Sequence, residues 1–201
     1  YWVGEGEDVT GSNPTTGQRE LKPKTVGSRV DITRSLLQQA SPDAESLVWD
    51  DINQAIALAI DKAGYYGSGT EKQPLGLKNM SGLNAVDFDA VNPSYAEFVE
   101  MESQIASDNA NVNSMAYVMN SLMRGHCKTT PKFGSGTESV IWETGGTVNG
   151  YRTEITNQIA DGDVFFGNFN DLIIGLWGGL DLTLDPYSLS SSGGLRIVAF
   201  Q

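Results

Sequence analysis

One cysteine and one histidine are all that the chain offers of the thiol and imidazole groups on which much enzyme chemistry rests. An internal disulfide is excluded, and Cys127 as a lone thiol fits a protein made in a reducing compartment. Neither a zinc site nor a histidine-based metal cluster can be assembled from Cys127 and His126 alone. Basic charge is scarce as well: 13 Lys and Arg stand against 25 Asp and Glu, a net charge of -12. That balance opposes the phosphate contacts that dominate nucleic-acid affinity, so a sequence-specific DNA-binding role is not expected. No apolar run is long enough to span a bilayer, and the opening Tyr1-Trp2-Val3-Gly4 is not a basic segment followed by an apolar one. A membrane protein is not expected.

What is present suffices for a globular fold, since 39% of the 201 residues are hydrophobic, enough for one substantial core that could be divided between two lobes. Residues 4–24 carry Gly4, Gly6, Gly11, Pro14, Gly17 and Pro23 among polar residues and read as a long extended excursion. Trp2 and Val3 already look like strand residues, and the chain stops at Phe200-Gln201 inside another strand pattern. Both ends are therefore expected to be cut, as in a fragment.

Near-alternation through Val30, Ile32 and Leu36 predicts a strand over 26–37. Ser41-Pro42-Asp43-Ala44-Glu45 then supplies an N-cap, a first-turn proline and acids near the positive end of a helix dipole. Val48, Ile52, Ala55, Ile56, Ala59, Ile60 and Ala63 make one apolar face until Gly64, which predicts a helix over 42–63 of roughly six turns. Residues 67–78 read as a glycine-punctuated loop leading to a short apolar piece at 83–86. A second helix is expected to start near Asn92-Pro93-Ser94, with Tyr95, Phe98, Met101 and Ile105 on one face. A strand at 115–119 and a short helix at 121–126 follow. From Ser139 onward the texture is β, with strands expected at 139–143, 150–156, 163–166, 172–177, 180–184 and 195–200. Alternation is strict in Leu180-Asp181-Leu182-Thr183-Leu184, so one face should be buried and the other wet. The class is α+β, without internal repeats.

The candidate chemical groups mostly have plainer explanations. His126 and Cys127 could form a nucleophile and its base, but neighbours on a helix point about 100° apart and do not meet easily. Asp161-Gly162-Asp163 matches only a piece of a calcium loop and reads as a turn. Gly67-Ser68-Gly69-Thr70 and Gly134-Ser135-Gly136-Thr137 lack the Gly-Lys-Ser/Thr ending of a phosphate loop. Asn79-Met80-Ser81 is a formal glycosylation sequon with no meaning absent secretion. Asp50 and Asp51 are consecutive helix residues, already accounted for by solvation. Arg19, Lys22, Lys24, Arg29 and Arg34 fall within 16 positions; they are a solvated strand face first and a contact for an acidic neighbour second. No catalytic, cofactor-binding or metal-binding residue is expected.

The order of short motifs resembles the tailed-phage major capsid protein family, the Hong Kong 97-type shell fold. Trp2-Val3-Gly4-Glu5-Gly6 is similar to the motif opening the returning arm of that family's extended loop. Leu21-Lys22-Pro23-Lys24 before the strand at Val26 resembles the route back into the peripheral domain. The helix at 42–63 corresponds to the family's spine helix. Gly67-Ser68-Gly69-Thr70 with Gln73-Pro74-Leu75-Gly76 resembles its Gly-x-Gly-Thr and Pro-x-Gly sequence. Gly150-Tyr151 looks like its Gly-Tyr/Leu-Pro-Val strand, and Phe166-Gly167-Asn168-Phe169 like its Phe-Gly-Asp-Phe turn, with Asn168 in place of Asp.

The resemblance implies a wedge-shaped subunit: 1–24 as part of the extended loop, 25–90 as peripheral domain with the spine helix, 91–181 as axial domain, and 182–201 as the truncated return to the peripheral domain. The N-terminal arm and the ascending half of the loop would precede Tyr1. It implies a non-enzymatic subunit of an icosahedral virion capsid, made in the bacterial cytoplasm and self-assembling into pentamers and hexamers that enclose a genome. Copies of itself are the expected partners, with a scaffold or a maturation protease as further ones. Some family members join a loop lysine to a neighbour's asparagine beside a buried glutamate. Lys22 and Lys24 lie in about the right region here. The matching loop, 186–194, has no asparagine, however, and 195–201 has no glutamate, so non-covalent shells are expected. Two rivals remain: an encapsulin-like bacterial compartment shell, and a carboxylate-dependent hydrolase with exposed aromatics such as Trp177 or Tyr187. The hydrolase requires a pocket with two converging acids.

Overall fold

The structure, a computed structural model, describes residues 2, 3, 5, 6, 8, 11, 13, 16–18, 20–33, 35, 44–70, 72–108, 110, 114–134 and 139–201, the side chains of 44–47 excepted. The expected cap Ser41-Pro42, the strand positions Leu36 and Leu37, Arg19, Arg34, Gly4, Pro14 and residues 135–137 of the second glycine loop lie outside the described residues.

In chain order the elements are β1 (Gly27–Ile32), α1 (Ala44–Tyr66), α2 (Tyr95–Ser107), β2 (Ala116–Met119), α3 (Ser121–Thr129), β3 (Trp142–Glu143), β4 (Thr147–Val148), β5 (Tyr151–Ile155), β6 (Val164–Gly167), β7 (Asp181–Asp185) and β8 (Leu195–Phe200). They make a mixed α and β molecule with two sheets, ordered β1-β8-β7 and β3-β4-β5-β2-β6.

In the three-stranded sheet, alternation turns Val30 and Ile32 inward, opposite Ile197 and Leu195 of the antiparallel β8. Helix α1 lays Ile52 and Ile56 into the same core, flanked by Val48 and Ile60. These four positions recur every fourth residue, one row along the helix surface. The apolar stripe is narrower than the sequence suggests, because Ala55 and Ala59 face solvent. Strand β7 forms the sheet's other edge, yet Leu184 remains 48% exposed while Leu182 packs inward, so the alternation is only partly expressed in burial.

Helix α1 runs through Gly64 instead of ending there. The tertiary contacts of the next two residues explain the difference. Tyr65 and Tyr66 both meet the Phe165 ring, with centroids 5.3 and 6.0 Å away. The Tyr66 hydroxyl also donates to Asp163 at 2.7 Å and accepts from the Ala160 N–H at 2.9 Å. Packing outweighs the roughly 1 kcal/mol that a glycine costs a helix interior.

Immediately after the helix, the backbone turns sharply. Gly76 N–H donates to the Gly67 carbonyl at 2.9 Å and Gly69 N–H to that of Pro74 at 3.1 Å. A Cβ on Gly67 would stand 2.2 Å from the Pro74 oxygen, and one on Gly76 2.3 Å from the Gly67 nitrogen. Those two glycines are required by close backbone approach. Asn79, the sequon residue, donates its amide to the Tyr66 and Gly67 carbonyls and so closes the helix end.

The five-stranded sheet carries the second core, built from Phe98, Tyr117, Met119, Met123, Cys127, Ile141 and Val148. β2 lies parallel to β5 and antiparallel to β6. Tyr117 is fully buried, stacks on Phe166 at 4.2 Å and donates its hydroxyl to the Phe98 carbonyl at 2.7 Å. Helix α2 begins after Ser94 as expected, while α3 extends three residues beyond His126.

The strand expectation at 139–143 contracts to β3, and the two-residue β4 was not anticipated. β4 and β5 join through Asn149-Gly150, both in the left-handed region at φ 51 and 76, the favoured chemistry of a two-residue hairpin. Residues 83–86 adopt no regular structure. The expected strand at 172–177 is also absent. Leu, Ile and Trp suit a strand, but a strand needs a neighbour: β6 is paired to β2 and β7 to β8, and among the described residues none pairs with this run.

Candidate functional site

The groups with chemical potential are fixed in structural work. Cys127 is fully buried, and desolvation pushes its thiol up to about 12, far from the range of a reactive thiolate. His126 turns elsewhere: its Nε2 lies 3.0 Å from the Pro93 carbonyl oxygen and its Nδ1 3.2 Å from the Thr130 hydroxyl.

Asp161 accepts from the Asn120 amide at 2.6 Å, while Asp163 receives Tyr66 and the Lys78 ammonium, each at 2.7 Å. The two acids therefore serve different partners. Among the described residues no group of three or more His, Cys, Asp or Glu could hold a metal ion. Asp50 and Asp51 are both exposed.

Three further carboxylates escaped the sequence reading. Glu97 is buried and accepts from the Ser94 N–H, the Ser94 hydroxyl and the Asp89 N–H, each at 2.6 Å. The Ser94 hydroxyl first, then the two N–H groups, hold its carboxyl below the ordinary value. The signal was available, since Ser94 with a glutamate three positions on is a capping-box pattern. Burial pushes Glu143 up, but hydrogen bonds from Lys132, Thr147 and the Gly150 N–H outweigh it and the carboxyl is held low. Glu102 accepts from Asn149 and Tyr151 at 2.5 and 2.8 Å.

Two shallow surface hollows bring only one acid each, Asp161 in the first and Glu154 in the second. Glu154 is paired with Arg152. Trp177 and Tyr187 line neither hollow. Neither hollow thus supplies the paired acids that a hydrolase reading requires.

The basic cluster is spread out. Lys22 approaches Glu20 at 3.8 Å in an exposed pair, and Arg29 stands 4.0 Å from Asp31. Asp31 is claimed mainly by Arg196, whose Nε and guanidinium nitrogen bind it at 2.7 and 2.9 Å. In the loop 186–194, the Tyr187 and Ser188 N–H groups and the Ser188 hydroxyl all donate to Asp185.

One exposed run of the surface is apolar. Ile173, Ile174, Leu176 and Trp177 are 75, 62, 63 and 54% exposed. The Trp177 ring folds back over Gly175, where an added Cβ would meet it at 2.9 Å, and Leu21 lies alongside at 3.5 Å from the same point. A run of large apolar side chains left outside marks a surface that meets another. Among the described residues no helix is long and apolar enough to cross a membrane.

The comparisons with known proteins give the class. Two solved structures share the fold: the capsid of a native GTA particle, at a TM-score of 0.62 and 19% identity, covering 88% of this chain and 66% of that one; and the capsid of an empty GTA particle, at 0.63 and 20%, covering 94% and 74%. The chain thus shares its fold with chains of those capsids. The family model described as the phage capsid family matches residues 1–201, and the chain belongs to that family. The major capsid protein of Halomonas phage phiHAP-1 is 34% identical over 201 residues, all of this chain and 33% of the relative. That of Klebsiella oxytoca phage phiKO2 is 26% identical over 193 residues, 87% of this chain and 44% of the relative. The chain spans less than half the length of these two curated relatives.

Proposed function

We propose that this chain is the shell-building part of a tailed-phage or prophage major capsid protein, a structural subunit that assembles with copies of itself into a capsid around a genome. The observation that carries the reading is the end-to-end match of residues 1–201 to the phage capsid family. Both curated relatives are phage major capsid proteins, which favours a phage shell over a bacterial compartment shell.

In this reading the three-stranded sheet with α1 is the peripheral domain and the lobe around Tyr117 lies in the axial domain at 91–181, the arrangement of a Hong Kong 97-type subunit. The two separate hydrophobic clusters support that division. Residues 1–24 form part of the extended loop. The subunit is not an enzyme, and its partners are further copies, held without covalent links. A net charge of -12 suits a wall that must not adhere to the nucleic acid it encloses. Synthesis in the bacterial cytoplasm fits the buried free thiol.

Expression of the full-length protein alone, followed by electron microscopy, tests the reading. Closed shells are expected. A soluble monomer under all assembly conditions, or one with hydrolytic activity, would refute it.

A further inference from the structure

A soluble chain does not leave a run of large apolar side chains in water without a use for it. Four of the five residues at 173–177 are large, apolar and more than half exposed. Together they present apolar surface on the order of several hundred Å², the size at which a patch on a monomer marks an interaction site. The backbone is also unoccupied: among the described residues, no hydrogen bond is made by the N–H or C=O groups of 173–179. Side chains of strand type, left exposed on an unpaired backbone, describe a segment that lacks its surroundings.

The shell reading names the occupant, a second copy of this chain, and the charge pattern fits it. Two such chains, each carrying -12 over these 201 residues, repel as they approach, and close contact is least opposed where neither presents charge. Residues 172–180 contain no charged residue, and Asp171 and Asp181 bound the run on either side. An apolar centre inside a charged rim is the anatomy of a protein–protein contact, and depletion of charge at its centre is the compositional signal.

We propose that 173–177 is the apolar centre of the contact between neighbouring copies of this chain, and that its backbone gains hydrogen-bond partners from the adjacent copy. This rests on the shell reading. Rings of copies use heterologous contacts, so the segment meets a different surface of its neighbour, not itself. Trp177 and Ile174 are the anchors of this contact, since large, buried side chains near the centre of an interface carry most of its energy.

Amide hydrogen exchange on the full-length protein, as dissociated subunits and as assembled shells, tests this. In subunits the amides of 173–179 are expected to exchange at close to unprotected rates, and in shells to slow by about 100-fold or more. In a second arm, Ile174→Asp with Leu176→Asp should leave subunit melting unchanged, because both positions are exposed, while abolishing shells. If the double variant misfolds, exchange in the wild-type shell decides alone. Equal exchange in the two states would overturn the proposal, as would amides already protected in subunits, protection that arises only when a second protein is added, or shells closed by a well-folded double variant. Wild-type protein that never forms shells would instead bring down the shell reading itself.

Discussion

At the scale of residues, the groups that look chemically active hold the fold. Cys127 is expected to react with thiol reagents only as the chain unfolds, because its thiol is buried and its proton is held up to about 12. Cys127→Ser should cost about 1 kcal/mol, since a helical serine hydroxyl can turn to the carbonyl four residues back; a stable thiolate at neutral pH or loss of assembly in that variant would contradict this. Glu97 carries a pH dependence. Its folded pKa lies below the ordinary carboxylate value, so its stabilisation is present above that value and is lost as pH falls through the lowered one. Glu97→Gln should therefore lower stability by about 1 kcal/mol at pH 7, the scale of a helix cap, and the difference from the parent chain should vanish in acid. Urea unfolding at both pH values reads the effect. Ser94 and Glu97 were legible as a pair in the sequence. Asp163 was not legible in its true role, since nothing local in Asp161-Gly162-Asp163 announces that Tyr66 and Lys78, 97 and 85 positions away, converge on it.

At the scale of elements, period is what the sequence carries best. The four-residue row Val48, Ile52, Ile56 and Ile60 declares α1 and its buried face, and the alternation in β1 and β8 declares theirs. A matched pair of substitutions checks this. Ile56→Asp places a charge where only 3% of the residue is exposed and should unfold the chain. Leu58→Asp, on a side chain 41% exposed, should leave the melting temperature within a few degrees. Equal effects would mean that the helix face is misassigned. Other elements depend on distant partners and are illegible locally. Gly64 looks like a terminus because the ring that holds the next turn in place, Phe165, comes from β6. Residues 172–177 look like a strand because composition reports propensity and not the presence of a neighbour. The Asn149-Gly150 turn was readable by its chemistry, but flanking strands as short as β4 leave no periodic pattern to attract notice.

At the scale of the whole molecule, two separate hydrophobic clusters build the two lobes, Tyr66 and Lys78 grip Asp163 beyond the end of α1, and the surface combines excess negative charge with an uncovered apolar run. Self-repulsion opposes random association of such a chain, and in the proposal above the uncharged run is where copies meet. The resemblance to a shell fold was legible because several weak motifs occur in one order, and Gly67 and Gly76, where a Cβ would stand closest to backbone atoms, belong to one of those motifs. The measurement that tests the account most directly is an electron-microscopic reconstruction of particles formed by the full-length protein. The account predicts that this chain forms the continuous wall, with α1 and both sheets repeated around five-fold and six-fold positions and 173–177 buried against the next copy. Particles whose wall is built from another protein, with this chain absent or bound only to the outside, would contradict it.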